Sequence, residues 1–201
     1  MARPPRIWFP EALYHVIVRG NNREAIFLGD ADRLAYLRML RHASERYDCL
    51  VYAYVLMTNH THLLVRTGAT HGIARFMQSL NTGYCMYFNH RYGRVGHVLQ
   101  GRYYSVLIGT DAQALEVVRY ISLNPVRAGI VSHPQDHQWS SYHAYLRQRP
   151  EAEDVVECGW VLGLLTPLEA LQRPVFRDFV LDGLQGQTSP LGRSDSNKAE
   201  V

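Results

Sequence analysis

CLVYAYVLMTNHTHLLVR, residues 49–66, is the stretch that decides the fold. Residues 49–57 are apolar at odd and even positions alike, as expected of a buried strand at the centre of a sheet. Thr58 and Asn59 break the run, and residues 60–66 resume it as a second strand. Two strands separated by two residues pair as an antiparallel hairpin.

The flanking segments complete a pattern. Upstream, LYHVIVR (13–19) reads as a strand and residues 20–23, Gly-Asn-Asn-Arg, as a turn. A helix follows, starting near Asp30 or Asp32, either of which is a suitable cap, and ending near Arg46. Downstream, Ile73, Phe76, Met77, Leu80, Tyr84 and Tyr87 recur at helical spacing and mark a helix from about Gly72 to Tyr92. Residues 98–108, which contain RYYSVLI, read as a fourth strand. Thr110 and Gln113 have the spacing of a capping box and open a helix that reaches Asn124 and is stopped by Pro125. The order β-α-β-β-α-β-α predicts an α+β fold, a ferredoxin-like split β-α-β antiparallel sheet with one added helix. RQRPEAED (147–154) reads as a boundary. It leaves a domain over 1–150, a small helical appendage over 151–183 and a disordered tail over 184–201.

Composition narrows the function. An apolar fraction of 47% fits a globular chain of 201 residues. No apolar run reaches the roughly 18 residues of a membrane span, and the start MARPPRIWFP lacks a secretory core. Cys49, Cys85 and Cys158 are odd in number and far apart, which argues against a disulfide framework or a cysteine zinc site. These features predict a cytoplasmic protein with no membrane partner. Residues 1–149 carry 17 Arg against 9 Asp or Glu, a net of +8, whereas residues 150–201 carry 4 basic and 9 acidic groups, a net of −5. The only lysine is Lys198, so the domain's cations are arginines, which grip phosphate through a planar fork. A polyanionic partner for the domain follows.

Two clusters carry chemistry. His60 and His62 stand at i and i+2 on a strand, on one face and about 7 Å apart along the chain, a spacing suited to a bidentate metal seat. Thr61, Leu63 and Val65 then face the other way, toward a core. The alternative is a pair of ordinary polar residues on a solvated sheet face. On the helix after Thr110, Ala114, Val117, Val118 and Ile121 form a buried stripe. Gln113, Glu116, Tyr120 and Asn124 cluster on a polar stripe beside it. Tyr120 and Asn124, one turn apart, offer a hydroxyl nucleophile and an amide oxygen to one metal. Alternatively, Tyr120 is a boundary aromatic and Asn124 a helix cap.

YVLMTNHTHLLV (54–65), QGRYYS (100–105) and RYISLNPVRAGIV (119–131), with YHVIVRGNNR (14–23), resemble the single-tyrosine transposases of the His-hydrophobic-His endonuclease superfamily. The likeness is closest to the REP-associated tyrosine transposases and their insertion-sequence relatives, and it spans roughly residues 10–147. One departure is Thr61, which stands between the histidines where the family carries a hydrophobe. The resemblance implies Mg²⁺ or Mn²⁺ at His60 and His62, Asn124 as third ligand and Tyr120 as the nucleophile. It also implies single-stranded or hairpin DNA as substrate and action as a monomer or homodimer. The implied reaction is metal-dependent cutting and rejoining of DNA through a 5′-phosphotyrosine, which conserves the bond energy for strand transfer.

Arg19, Arg23, Arg66, Arg102 and Arg119 lie near the ends of the site-bearing elements and are candidates for DNA phosphate contacts. Tyr52, Tyr54, Tyr103 and Tyr104 are either base-stacking or core residues. His15, His42, His71, His90, His97, His133, His137 and His143 have no paired spacing and read as structural. Two other function classes compete: a nucleic-acid-binding module without catalysis, and a metal-dependent hydrolase of RNA or small phosphoesters.

Overall fold

The hairpin expected at residues 49–66 is present as β2 (Leu50–Met57) and β3 (His60–Arg66), turning at Thr58 and Asn59. The computed structural model describes residues 9–147 and 155–184; the expected tail therefore lies almost wholly outside the described residues. These residues form two compact units. One comprises the chain up to residue 51 with residues 56–108, the other residues 52–55 with the chain from 109 onward.

The sheet adds β1 (Leu13–Arg19) and β4 (Tyr104–Ile108), in the order β2-β3-β1-β4. β1 runs antiparallel to both its neighbours. This is the split β-α-β arrangement, with helices α1 (Asp30–Arg46) and α2 (Ile73–Tyr92) as the crossovers.

In the first unit, β3 alternates as expected. Thr61 is fully buried and meets the Tyr36 hydroxyl of α1 at 3.3 Å, so the odd-numbered residues of β3 face the helices. Phe27, Tyr36 and Tyr84 pack edge-on, with Phe27–Tyr36 centroids 5.5 Å and Tyr36–Tyr84 centroids 5.1 Å apart. Each such pair adds about 1 kcal/mol beyond its buried area. Asp32 rather than Asp30 secures the start of α1. From the third helical position its carboxylate accepts the N–H groups of Leu28 and Gly29. The expected strand 98–108 is broken at Gly101, whose φ of +67° turns the chain. Leu99 instead bridges Gly20, and β4 begins at Tyr104.

β2 is an edge strand, not the central one its apolar faces suggest. Its outer side is occupied within the second unit. Tyr54 and Ser141 exchange two hydrogen bonds, from Tyr54 N–H to Ser141 Oγ and from Ser141 N–H to the Tyr54 carbonyl. The Tyr145 hydroxyl donates to the Tyr52 carbonyl at 2.7 Å. A covered edge leaves no unpaired ladder groups and tolerates apolar residues throughout.

The second unit also holds α3 (Asp111–Arg127), the short α4 (Tyr142–Tyr145), α5 (Gly159–Leu165) and α6 (Glu169–Asp182). Tyr145 stacks on Phe176 of α6 at 4.2 Å. Thr110 caps α3 by accepting from Gln113 N–H. Pro125 does not stop this helix at Asn124, because a proline so near the end forfeits a single backbone bond. Ala128 N–H closes onto the Asn124 carbonyl, and Gly129, at φ +68°, ends the helix in the left-handed conformation. Among the described residues no helix is long and apolar enough to cross a membrane.

Candidate active site

Strand pairing places the histidines. His60 is opposite Arg19 and His62 opposite Ile17 in the β1–β3 ladder, and directly opposed residues share a face. His60 and His62 therefore lie together on the face that α1 does not cover, their ring centroids 5.1 Å apart and nearly perpendicular. His60 is half-buried, while His62 keeps only 4% of its surface exposed.

Each imidazole has an outer partner at Nδ1. His60 Nδ1 lies 2.7 Å from Asn59 Oδ1, and His62 Nδ1 lies 3.0 Å from His15 Nε2. His15 is on the same face of β1, diagonal to His62, and its ring stacks on the latter at 5.2 Å. It is fully buried, and burial pushes its imidazole down to about 4, so it is neutral at pH 7. Reading His15 as an isolated structural histidine missed this contact. The signal lay in its odd position on β1, which becomes informative only when the register is known.

Tyr120 and Asn124 occur one turn apart on α3, as expected. The Tyr120 ring is half-buried, with the Arg127 guanidinium 5.7 Å from its centroid. Asn124 is buried, and its Oδ1 has no hydrogen-bond partner among the described residues. A buried amide oxygen left without a donor is costly unless something else occupies it.

The histidine pair fits a divalent cation: two imidazoles on one face, each with an outer partner at Nδ1, are suited to ligate through Nε2. Among the described residues no group of three or more His, Cys, Asp or Glu side chains is arranged to hold a metal. A seat of two imidazoles leaves positions open for phosphate oxygens and water.

The arginines do not form one cluster. Arg19, opposite His60, shares the histidine face, and Arg23 and Arg102 are exposed. Arg66 is six residues along β3 from His60, roughly 20 Å away. Arg119 pairs with Glu116 at 3.0 Å and stacks 3.8 Å from the Phe179 centroid, which occupies its fork within the second unit. Of the four tyrosines considered for stacking, Tyr52, Tyr54 and Tyr103 are buried. Tyr104 is 52% exposed and stands opposite Ile17, in the same cross-strand row as His62.

Among solved structures, the chain is similar to a REP-associated tyrosine transposase bound to a REP hairpin. The TM-score is 0.63 at 19% identity, covering 79% of this chain and 96% of that one. It is also similar to a protein described as a candidate transposase from Deinococcus radiodurans R1, with TM-score 0.42, 19% identity and coverage of 60% and 95%. No curated protein matches the sequence. A family model described as IS200-like transposase matches residues 9–124, more than half of the chain and including His60, His62, Tyr120 and Asn124. By that match the chain belongs to the IS200-like transposase family.

Proposed function

We propose that this protein is a metal-dependent strand transferase acting on single-stranded or hairpin DNA, with Tyr120 as nucleophile. The observation that carries the reading is the placement of His60 and His62 on one sheet face, rings 5.1 Å apart, in a chain of transposase family. His60 and His62 would hold Mg²⁺ or Mn²⁺ through Nε2, and Asn124, the position that the family resemblance gives as third ligand, would supply an amide oxygen. When bound, the cation withdraws charge from the scissile phosphate and stabilises the charge that develops on it.

Tyr120 supplies the attacking oxygen. Its Oη forms a bond to phosphorus while the bond from phosphorus to the 3′ oxygen breaks. The phenolic proton passes to water, and the departing 3′ oxygen takes one up. The products are a 5′-phosphotyrosine and a free 3′-OH. A second 3′-OH reverses the step and joins a new strand, because the phosphotyrosine retains the bond energy. Arg19, Arg23 and Arg102 neutralise DNA phosphates, and the exposed Tyr104 ring offers a surface on which a base stacks.

The test is a denaturing gel of protein incubated with a labelled hairpin oligonucleotide and Mn²⁺. A covalent adduct with wild type and none with Tyr120→Phe is the expected result. Binding without cleavage would leave a binding module, and cleavage without an adduct would leave a hydrolase.

A further inference from the structure

We propose that Asn59 is a positioning residue that holds the His60 ring in its Nδ1–H tautomer, leaving Nε2 as the nitrogen that takes a divalent cation. This rests on the reading of His60 and His62 as the cation's ligands.

The Arg23 carbonyl lies 3.0 Å from Asn59 Nδ2. A carbonyl oxygen only accepts, so the nitrogen side of the amide faces it and the orientation of Asn59 is settled. The amide oxygen then faces His60 Nδ1 at 2.7 Å. An amide oxygen also only accepts, so the proton of this hydrogen bond belongs to His60 Nδ1. In a neutral imidazole one nitrogen carries the proton and the other a lone pair. The lone pair is therefore at Nε2.

The loop is built to keep the Arg23 carbonyl in place. Asn22 and Arg23 adopt φ of +49° and +60° in succession, a conformation that a long side chain seldom takes unless its surroundings enforce it. At Gly20 a Cβ would stand 2.1 Å from the Glu24 carbonyl oxygen, so only glycine allows this close return of the chain. Gly20 N–H donates to the Asn59 carbonyl, and the N–H groups of Ile26 and Phe27 donate to the Thr58 carbonyl. The turn that carries Asn59 is thus gripped from both sides by residues 20–27. A side chain needed only to close the turn would have no reason to present a second, oriented acceptor to a ligand imidazole. Outer partners of this kind fix ring orientation as well as tautomer.

The experiment uses the full chain, labelled with ¹⁵N and free of metal. Long-range proton–nitrogen correlations of the His60 ring report the tautomer, and calorimetric titration with Mn²⁺ reports affinity. Wild type is expected to show Nδ1–H at His60. Asn59→Ala, with folding checked by circular dichroism, is expected to show mixed tautomers and to lose Mn²⁺ affinity by about 10- to 100-fold. Asn59→Asp keeps the acceptor at His60 while losing the donor to Arg23. It is expected to retain the tautomer, with affinity at or above wild type.

A wild-type His60 protonated at Nε2 would overturn the proposal. So would a folded Asn59→Ala protein with unchanged tautomer and affinity. Should Asn59→Ala not fold, the wild-type spectrum and Asn59→Asp decide, and a folded Asn59→Asp protein lacking the Nδ1–H tautomer would overturn it. His60→Ala separates the two readings: if it binds Mn²⁺ as tightly as wild type, the ligand assignment fails while the tautomer result stands.

Discussion

His15 Nε2 lies 3.0 Å from His62 Nδ1 across the β1–β3 ladder, joining residues 47 positions apart in sequence. His15→Phe keeps an aromatic ring in a fully buried place and removes the nitrogen that meets His62. The variant is expected to fold and to lose Mn²⁺ affinity by about 10- to 100-fold, as when other outer partners of a ligand histidine are removed. Calorimetry on the purified variant reads this. Wild-type affinity in a folded variant would reduce the stack to packing.

Tyr120→Phe retains a half-buried ring. Its stability should stay within about 1 kcal/mol of wild type, the range usual for such sites, while the DNA adduct disappears. Removing either imidazole, as His60→Ala or His62→Ala, should abolish cleavage with the fold intact. Asn124→Ala should do less harm, because water can replace a neutral amide ligand. An adduct formed by Tyr120→Phe would place the nucleophile elsewhere.

Asp32 predicts stability rather than chemistry. Fully buried, it accepts from Leu28 N–H at 2.8 Å, Gly29 N–H at 3.0 Å and the hydroxyls of Tyr92 at 2.8 Å and Tyr87 at 3.1 Å. Asp32→Ala strands four donors and frees Arg91 from its ion pair. A loss of about 3–5 kcal/mol is expected in urea denaturation. A loss below about 1 kcal/mol would mean that water replaces the carboxylate at little cost.

Burial pushes the Cys49 thiol up to about 11. The thiolate is the reactive form, and with its pKa raised that far it is at least about 100-fold scarcer at pH 8 than in an exposed thiol. Iodoacetamide should therefore modify Cys49 at least about 100-fold more slowly in the folded protein than in the urea-unfolded chain, as followed by mass spectrometry. Equal rates would contradict the buried placement.

The charge split predicts how DNA binding responds to salt. Each phosphate neutralised on a single strand contributes a slope of about −0.7 in log K against log salt. Arg102→Gln should make the slope shallower by that amount, measured by fluorescence anisotropy. Removing residues 184–201 takes away Arg193 and Lys198 with Asp195 and Glu200, a charge-neutral deletion. It should leave both slope and affinity unchanged. A large change would give those residues a specific part in binding.

Local pattern made much of this legible. The hairpin, the helix stripes and the His60–His62 spacing depend on neighbours within a few residues, where periodicity is informative. Contacts between distant segments were not legible. His15 meets His62 only because β1 and β3 pair in one register, and Asn59 meets Arg23 only because the loop after β1 curls back on the turn. The apolar faces of β2 showed that both faces are covered, but a covered edge and a central position leave the same pattern. Pro125 was a misleading stop, since the ending lay four residues later at Gly129.

Side chains alternate along a strand, so a slip of one residue between β3 and β1 would turn both imidazoles toward the side where Tyr36 meets Thr61. If His60 and His62 seat the cation as proposed, a pairing slipped by one residue would therefore lack that seat. The proposed strand transfer would then be confined to molecules whose strands keep the histidines on that face, so its yield after refolding would follow the fraction so paired.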